Sequence, residues 1–440
     1  MSLLETVRQL SSGAMTRKQV LEWRRGVIRR RNPKLNAFIT VLGGGGRLRD
    51  LPRTPLAGAT VAFKDNVYVK GHRTTAGSRV LRGFVPSYDA DVVTILRRAG
   101  ASIIGKTNMH EFAFGVTNVN PHYGPCRNPW KSDSISGGSS GGSAVAVAGG
   151  MACAAVGTDT AGSVRIPASL CGTVGFKPTN GLISIRGIVP LAWTLDSVGF
   201  LTRKVADAAY LASLSSEGKV TRASPRPRSL KGMRIGLPRN LPSNLEEDVK
   251  RAYEDALRAA EENGARMVPF DFPNYEETLA CRSLIVHSEA ASYHRRYFET
   301  RYSQYGRDLR RRLAQGLAIP AAVYLDAQRA RGRLIASYRP LFRTMDIIAT
   351  PTTPISAPTI SASEGEATSA EIRTALLSFT EPFNVYGAPA ISIPCGKTRE
   401  GLPVGIQLAG DIHADEQLLS AAISYEKLLP DVLAGMPVAN

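Results

Sequence analysis

Apolar residues recur at helical spacing through the first 40 residues of the chain. Four of them share one predicted helix face: Leu3, Leu4, Val7 and Leu10. A second amphipathic stretch follows, which Ser12 or Thr16 would cap and Asn32–Pro33 would end. Residues 43–46 are all glycine and predict a flexible break after these two helices.

From residue 55 onward, short apolar runs alternate with amphipathic stretches. Thr60 to Phe63 is apolar and β-branched, which suits a buried strand, and Lys64 stands at its end. Asp91 to Gly100 has helical spacing and a glycine stop, and Ala101 to Gly105 predicts the next strand. The alternation returns in three later segments: Met233 to Pro238, Leu245 to Gly264 and Met345 to Thr350. This pattern predicts an α/β or mixed-sheet layer architecture.

The composition is that of a globular chain, since 440 residues, 43% of them hydrophobic, can bury a large core. No apolar run reaches the roughly 18 residues that a bilayer span needs. The N-terminus carries Glu5 and Arg8 where a signal peptide would be apolar. We therefore expect a cytoplasmic protein without membrane contact. The Pro- and Arg-rich stretch Thr221 to Lys231 is interpreted as a surface loop inside one domain.

The net charge of +18, from 55 Lys and Arg against 37 Asp and Glu, raises nucleic acid as a partner. The basic residues are dispersed, and their densest groups lack the interleaved aromatic residues of a base-stacking platform. These groups are Arg24 to Arg31, Arg226 to Arg239 and Arg307 to Arg312. We interpret them as a solvated, arginine-rich surface, so a free-standing chain is not expected to bind nucleic acid.

Cysteine and histidine show no pattern of a ligand site. The five cysteines are odd in number and lack a CxxC pair, which argues against a disulfide framework. The six histidines show no HxxxH pattern. We expect reduced, packed cysteines and no metal site.

Gly137 to Ser143 (GGSSGGS) leads directly into the small-residue helix pattern of Ala144 to Ala148. Three interpretations compete. A phosphate-binding loop would need a Lys-Ser or Lys-Thr ending, which is missing. A flexible linker rarely stands before a buried helix. A catalytic loop uses glycine to bring serine hydroxyls close to other backbone.

Gly157 to Pro167 (GTDTAGSVRIP) favours the catalytic interpretation. A turn of small residues lets successive backbone N–H groups converge on one point, which is how an oxyanion hole forms. Ser163 would then be a nucleophile as well as part of that hole. Asp159 and Arg165 flank the turn with opposite charges, which we interpret as a structural ion pair. The predicted N–H donors are those of Thr160, Ala161, Gly162 and Ser163.

Lys64, GGSSGGS and GTDTAGSVRIP, with 75 residues from Lys64 to Ser139 and 24 from Ser139 to Ser163, resemble the amidase signature family. The resemblance covers almost the whole chain through further segments: Thr74–Ser78, Gly105–Asn108, Glu111–Ala113, Arg127–Trp130, Gly175–Thr179, Thr350–Pro354 and Gly401–Gln407. It implies one α/β domain over residues 1–440, with a mixed central β-sheet covered by helices on both faces. N-terminal helices are expected at 1–40, a catalytic core at 55–205, and the remaining sheet with substrate-pocket helices at 233–440.

The resemblance also implies a Ser-cisSer-Lys triad. Ser163 would attack the amide carbonyl, Ser139 in a cis peptide would relay the proton, and Lys64 would be the base. A lysine accepts a proton only when it is neutral, so burial or hydrogen bonding must lower the pKa of Lys64. No cofactor is implied.

Other residues near these motifs have open roles. Lys106 and Lys177 are alternative bases that the sequence alone does not place. Ser140 either supports the triad by hydrogen bonding or is a simple loop serine. Ser143 is interpreted as a helix cap.

Three functions are open to a chain with this triad. A stand-alone amidase would hydrolyse a small-molecule amide and release ammonia or an amine. The glutaminase subunit of a tRNA-dependent amidotransferase would need a second protein as its partner and would explain the basic charge. Arg331 lies where that branch holds the glutamine carboxylate, but Leu377 stands where its acidic residue is expected, so the stand-alone amidase is preferred. A non-catalytic nucleic-acid or scaffold protein on this fold would require the loss of a triad residue, and all three are present.

The substrate itself is not readable from the motifs. We expect substrate contacts from Phe114, Tyr324 and Arg331, and the apolar and aromatic content of the pocket segments suggests an aryl or aliphatic amide. A homodimer through the N-terminal helices is a further expectation from the resemblance.

Overall fold

The computed structural model describes residues 1–43, 54–220, 228–242, 244–364 and 366–436. Most of the predicted glycine break, 44–46, and the first part of the Pro- and Arg-rich stretch, 221–227, lie outside the described residues. Within the described ranges, no helix combines the length and the hydrophobicity of a membrane-spanning segment.

Helices and strands alternate along the described chain, as the apolar pattern predicts. The helices are α1 (Leu3–Ser11), α2 (Arg17–Leu35), α3 (Asp91–Arg98), α4 (Gly141–Ala148), α5 (Arg165–Cys171), α6 (Val205–Ser215), α7 (Glu247–Glu262), α8 (Tyr275–Phe298), α9 (Arg307–Leu317), α10 (Ala321–Tyr338), α11 (Glu366–Leu377), α12 (Pro382–Val385) and α13 (Asp415–Glu426). The strands are β1 (Phe38–Val41), β2 (Thr60–Lys64), β3 (Ser102–Thr107), β4 (Ala154–Asp159), β5 (Val174–Lys177), β6 (Ser197–Thr202), β7 (Arg234–Pro238), β8 (Arg266–Phe270), β9 (Ile347–Pro351), β10 (Ala390–Lys397) and β11 (Pro403–Ala409).

The two N-terminal helices form as predicted. The structure shows which of the two candidate residues caps the second helix, and it corrects the predicted end of that helix. Thr16, and not Ser12, caps α2, because its side chain accepts a hydrogen bond from the N–H of Gln19. The predicted end of α2 at Asn32–Pro33 is wrong. The chain stays helical to Leu35, and Asn36 then turns it with a left-handed φ of 53°.

A mixed sheet connects the described strands in the order β1-β3-β2-β4-β6-β5-β10-β11-β9-β7-β8. β2 is parallel to β3 and β4, and β7 is parallel to β8 and β9. The other strand pairs are antiparallel. Because neighbouring parallel strands end at the same edge of a sheet, the ends of β2 and β4 lie side by side, which is where open α/β sheets place ligands.

Side chains of the central strands alternate between two apolar layers. Val61 and Phe63 of β2 belong to a core that also contains residues of α3, α6, α7 and α13. Ala62 belongs to a second core, with residues of α2, α4 and α5. Since successive strand residues point to opposite faces, both faces of the sheet are covered by helices. The predicted fold class is therefore confirmed.

The first turn of α4 approaches the sheet closely because it begins with two glycines. A Cβ atom on Gly142 would stand 2.4 Å from the carbonyl oxygen of Asn108 and 2.5 Å from that of Ala37. Backbone atoms cannot move aside as a flexible side chain can. The fold therefore requires glycine at residue 142, because only a hydrogen atom fits where a Cβ would stand.

Ser143 does not cap α4, so that prediction is wrong. The helix begins two residues earlier, at Gly141, which places Ser143 inside the first turn. Its hydroxyl donates to the carbonyl oxygen of Val156 at 3.2 Å and bonds the Thr107 hydroxyl at 2.8 Å. Ser143 therefore fastens the start of α4 to β3 and β4.

Two glycine variants test this close approach. We expect Gly142→Ala to lower the free energy of unfolding by about 1–3 kcal/mol, because the new methyl group overpacks the backbone. Gly332→Ala is the matched control: Gly332 lies in α10 with nothing within 4 Å of its Cβ position. There alanine should raise the free energy of unfolding by about 0.5–1 kcal/mol through helix propensity. Urea denaturation followed by circular dichroism measures both, and equal effects would contradict the close approach.

Candidate active site

Two strand ends and one glycine-rich loop bring the predicted triad residues together. Lys64 is the last residue of β2, and Ser163 lies in the turn that follows β4. Ser139 lies in the loop that leads into α4. Two hydrogen bonds join these segments: Lys64 Nζ lies 2.8 Å from Ser139 Oγ, and the N–H of Ser140 donates to the carbonyl oxygen of Ser163 at 3.1 Å.

The Lys64 side chain is fully buried among oxygens of neutral groups. Its Nζ is within 2.8 Å of both Ser139 Oγ and Thr158 Oγ1, and within 3.4 Å of the Thr158 carbonyl oxygen. The Gly138–Ser139 peptide bond is cis, as the resemblance implies. None of these contacts supplies a carboxylate to balance an ammonium charge.

Burial lowers the pKa of Lys64 to about 7, because the ammonium group loses its hydration. The carboxylates of Asp196 and Asp159 oppose this shift. Lys64 can therefore gain and lose a proton near neutral pH, which a lysine with an ordinary pKa cannot do.

Thr158 is a site residue that the sequence reasoning missed. Its Oγ1 contacts Lys64 Nζ and also accepts a hydrogen bond from Asn66 Nδ2 at 3.2 Å. Thr158 holds the lysine in line with Ser139. Its position inside the GTDTAGSVRIP motif was a signal that could have identified it.

Asp196 was also missed, and no quoted motif contains it. Its carboxylate accepts hydrogen bonds from the Thr160 hydroxyl at 2.5 Å and from the N–H of Leu191 at 3.0 Å. Burial raises the pKa of Asp196 to about 6. Asp196 thus fixes the start of the turn that carries Ser163.

The two alternative bases lie away from the candidate serines. Lys106 forms a buried ion pair with Asp65, with 3.2 Å between Nζ and Oδ1. Lys177 donates to the carbonyl oxygen of Pro178 at 2.7 Å, and burial lowers its pKa to about 7. Of the three lysines considered, Lys64 is the one that contacts a candidate serine.

The predicted ion pair between Asp159 and Arg165 is present, and neither side chain has exposed surface. Arg165 donates to Asp159 Oδ1 at 2.9 Å, to Gln407 Oε1 at 2.7 Å and to Asn384 Oδ1 at 2.6 Å. Burial alone would raise the pKa of Asp159, but the Arg165 guanidinium holds it well below its usual range. The pair thus anchors the turn that carries Ser163 to α12 and β11.

One of the four predicted oxyanion donors is already engaged. The N–H of Gly162 donates to Asp159 Oδ1 at 2.8 Å, so the prediction for Gly162 is wrong in this conformation. Gly162 is instead needed for shape, since its φ is 127° and a Cβ would lie 2.2 Å from Thr380 Oγ1. The described residues provide no acceptor for the N–H groups of the other three: Thr160, Ala161 and Ser163.

Ser140 links the two serine segments to β4. Its hydroxyl donates to the carbonyl oxygen of Thr158 at 3.1 Å, while its N–H holds Ser163. Ser163 is 6% exposed, and its hydroxyl makes no hydrogen bond with a described residue. The arrangement leaves the Ser163 hydroxyl available to a ligand.

The three predicted pocket residues have different environments. The Tyr324 hydroxyl donates to Glu289 Oε1 at 3.0 Å. Arg331 Nε donates to the carbonyl oxygen of Val385, also at 3.0 Å. Phe114 is buried in an apolar core with residues of α8 and α9. Their contact with substrate stays a prediction.

Some arginines of the basic groups pack against aromatic rings in the fold. Three of their arginines lie over aromatic rings: Arg24 over Trp23 at 4.2 Å, Arg310 over Tyr302 at 5.0 Å and Arg312 over Phe114 at 5.2 Å. Arg24 and Arg312 are buried, so the prediction of a solvated, arginine-rich surface is wrong for these two residues. All five cysteines are buried and unpaired. Within the described ranges, no three metal-ligating side chains form a group.

In this site a buried lysine is hydrogen-bonded to a serine in a cis peptide. A second serine lies nearby on a turn that carries backbone N–H donors. This arrangement defines the class of serine amidohydrolases. Residues 45–419 match the amidase family, and this chain belongs to the amidase signature family. It is similar to the A subunit of glutamyl-tRNA(Gln) amidotransferase from Synechococcus sp. (strain CC9311), with 34% identity over 486 aligned positions that cover 99% of each chain.

Solved structures agree with this membership. The chain is similar to a crystal structure of an amidase, with 31% identity, a TM-score of 0.88, and coverage of 98% of this chain and 100% of that one. It is also similar to the A subunit of glutamyl-tRNA(Gln) amidotransferase from Thermotoga maritima, with 33% identity, a TM-score of 0.84, and coverage of 98% and 95%. The names of the curated relatives favour the amidotransferase alternative at least as well as the stand-alone amidase preferred from the sequence.

The Arg165 network yields a stability prediction. We expect Arg165→Met to lower the free energy of unfolding by about 3–5 kcal/mol, because the Asp159 charge then stays buried without its partner. Adding Asp159→Asn removes that charge and should recover part of the loss. Arg329→Met, at an exposed pair with Asp326, is the control and should be nearly neutral. Urea denaturation measures all three; an Arg165→Met loss no larger than the control's would contradict the anchoring role.

Proposed function

We propose that this chain hydrolyses a carboxylic amide through an acyl-enzyme on Ser163, with Lys64 as the base and Ser139 as the proton relay. The observation that carries this proposal is the 2.8 Å contact between Lys64 Nζ and Ser139 Oγ in a fully buried setting. When Lys64 is neutral, the Ser139 hydroxyl donates along the same line. A pKa near 7 makes that neutral state common at neutral pH.

In the first half-reaction, Ser163 Oγ forms a bond to the amide carbonyl carbon. Its proton passes to Ser139 Oγ while the Ser139 proton passes to Lys64 Nζ. The charge on the carbonyl oxygen meets the N–H groups that lack an internal acceptor, those of Thr160, Ala161 and Ser163. The C–N bond then breaks, and the leaving nitrogen takes the proton from Lys64 through Ser139.

In the second half-reaction, water attacks the Ser163 ester and gives its proton to the same relay. The ester C–O bond breaks, the acid leaves, and Ser163 Oγ recovers a proton. One amide and one water thus yield one carboxylic acid and one ammonia or amine, without a redox change. Asp159, Arg165 and Ser140 keep the turn and loop in position through the contacts described above.

A second, finer candidate is favoured by the curated relatives, which are named as the A subunit of an amidotransferase. The chain would then release ammonia from glutamine for use with a partner protein. Leu377 favours a stand-alone amidase. It packs with Ile166 and Ala161, at the position where the ammonium group of glutamine would need an acidic residue. Ammonia release from L-glutamine, compared with release from simple amides, separates the two candidates.

Covalent labelling tests the shared chemistry. We expect a fluorophosphonate probe to form one adduct on Ser163, found by intact-mass measurement and peptide mapping. In Lys64→Ala the labelling rate should fall by roughly 10²–10⁴-fold, because the base is lost. Lys250→Ala, which removes an exposed lysine of α7, is the control and should label like the wild type. An adduct elsewhere, or labelling indifferent to Lys64, would contradict the proposal.

A further inference from the structure

Lys64, Asp65 and Asn66 follow one another at the end of β2, and the side chains of Asp65 and Asn66 are connected to different lysines. Asp65 Oδ1 lies 3.2 Å from Lys106 Nζ. Asn66 Nδ2 lies 3.2 Å from Thr158 Oγ1, which is itself 2.8 Å from Lys64 Nζ. Aspartate and asparagine have nearly the same shape, so charge is the main difference between the two connections. The carboxylate thus serves the paired lysine, and the amide serves the candidate base.

The orientation of the Asn66 amide is fixed by Val189. Asn66 is buried, and its backbone carbonyl accepts a hydrogen bond from the N–H of Val189 at 2.8 Å. In return, Asn66 Nδ2 donates to the carbonyl oxygen of Val189 at 3.3 Å. A carbonyl oxygen only accepts, so the side-chain atom that faces it must be the amide nitrogen. The second N–H of the same nitrogen therefore donates to Thr158 Oγ1.

The Asn66 amide uses both of its donors and leaves its acceptor unused. Asn66 Oδ1 is buried and has no hydrogen-bond partner among the described residues. A buried acceptor without a partner destabilises a fold. The two N–H groups are therefore what Asn66 contributes here: one fastens its side chain to Val189, and the other reaches Thr158.

Thr158 needs such a contact because its side chain is β-branched. The hydroxyl and the methyl group exchange places when the side chain changes rotamer. Among the described side chains, those of Asn66 and Lys64 hydrogen-bond to Thr158 Oγ1. Asn66 thus stabilises the rotamer that turns the hydroxyl, and not the methyl group, toward Lys64.

The oxygens around Lys64 match the three N–H groups of its protonated form. They are Ser139 Oγ and Thr158 Oγ1, each at 2.8 Å from Nζ, and the Thr158 carbonyl oxygen at 3.4 Å. When Ser139 gives its proton to Lys64, the new ammonium group meets acceptors that are already in place. Two of the three belong to Thr158, so a residue that fixes Thr158 also fixes the base.

Two carboxylates and one imidazole interact with Lys64 through space, and none of them hydrogen-bonds to its Nζ. Asp159 is held in its ion pair, and Asp196 accepts from a hydroxyl and from two backbone N–H groups. His110 is neutral at pH 7, since burial lowers its pKa to about 4. The two hydrogen bonds through Thr158 Oγ1 put Asn66 Nδ2 no more than about 6 Å from Lys64 Nζ. At such a distance a carboxylate would favour the charged form of the lysine.

We propose that Asn66 is a positioning residue for the candidate base: it holds the Thr158 hydroxyl against Lys64 with a neutral donor, and so keeps a negative charge away from the base. This inference rests on the proposed hydrolysis at Ser163. Two consequences follow from the contacts. The effect of Asn66 should require the Thr158 hydroxyl, and it should depend on the charge at residue 66.

A double-mutant cycle tests the path through Thr158. The rate of Ser163 labelling by a fluorophosphonate is measured at pH 9, where a lysine with a pKa of about 7 is neutral. We expect Asn66→Ala to lower this rate roughly tenfold, and Thr158→Val to lower it at least as much. The double variant should label no more slowly than Thr158→Val, because no hydroxyl is left to hold. Effects that multiply independently would overturn the positioning role.

The pH dependence of labelling tests the role of charge. Labelling needs neutral Lys64, so the wild-type rate should rise with pH around a midpoint near 7. In Asn66→Asp the added carboxylate stabilises the ammonium form, and the midpoint should move up by about one pH unit or more. The rate at pH 7 should then fall about fivefold and recover at pH 9. A disturbed fold would instead lower the rate at both pH values, and an unmoved midpoint would contradict the proposal.

Asn128→Ala is the matched control for the loss of a buried amide. Asn128 is also buried, and its Nδ2 donates to two carbonyl oxygens, those of Ile135 and Leu170. We expect this control to keep the wild-type midpoint, and to change labelling by the same factor with and without Thr158→Val.

The inference and the proposed function fail in different ways. Asn66 variants that behave like Asn128→Ala in both assays would overturn the positioning role and leave hydrolysis standing. A wild-type chain whose Ser163 is not labelled, or is labelled without regard to Lys64, would instead overturn the proposed function.

Discussion

Burial without a carboxylate partner favours the neutral form of a lysine, because the ammonium group loses its hydration. The candidate active site depends on this constraint. Lys64 has no exposed surface, and the described residues that hydrogen-bond to its nitrogen are Ser139 and Thr158. Lys106 shows the contrast, because its buried nitrogen lies 3.2 Å from Asp65. Two lysines on neighbouring strands thus have different chemistry: one is paired, and the other is left to exchange a proton with a serine.

The sheet supplies the geometry for that exchange. Parallel pairing of β2 with β4 places Lys64 next to Thr158, and the turn after β4 then delivers Ser163. Arg165 fixes this turn from the other side through Gln407 of β11 and Asn384 of α12. Segments far apart in the sequence therefore hold the turn that carries Ser163. Lys64 stands at a strand end, and it too is held by residues distant in sequence, Ser139 and Thr158.

Local periodicity predicted part of this frame, including β2, whereas β4, β11 and α12 were not predicted from it. The run before Lys64 is short, apolar and β-branched, and it forms β2 as predicted. The pairing of Lys64 with Ser139 came from motif resemblance, because no periodicity relates residues 75 positions apart. Asp196 and Asn384 lie outside the quoted segments. Gln407 lies inside one, but the motif did not show that Gln407 contacts the turn, because tertiary packing brings it there. The prediction for the Gly162 N–H failed for a similar reason. A motif shows which residue types are present, but it does not show that the Asp159 carboxylate accepts a hydrogen bond from this N–H.

Family membership defines the fold and the class of chemistry. The most direct test of the central claim is the pKa of Lys64 itself. In protein labelled with ¹³Cε-lysine, the resonance missing from Lys64→Met should titrate with a pKa of about 7. A pKa at or above the ordinary lysine value of about 10.4 would contradict the account, because Lys64 would then stay charged and could not accept the serine proton.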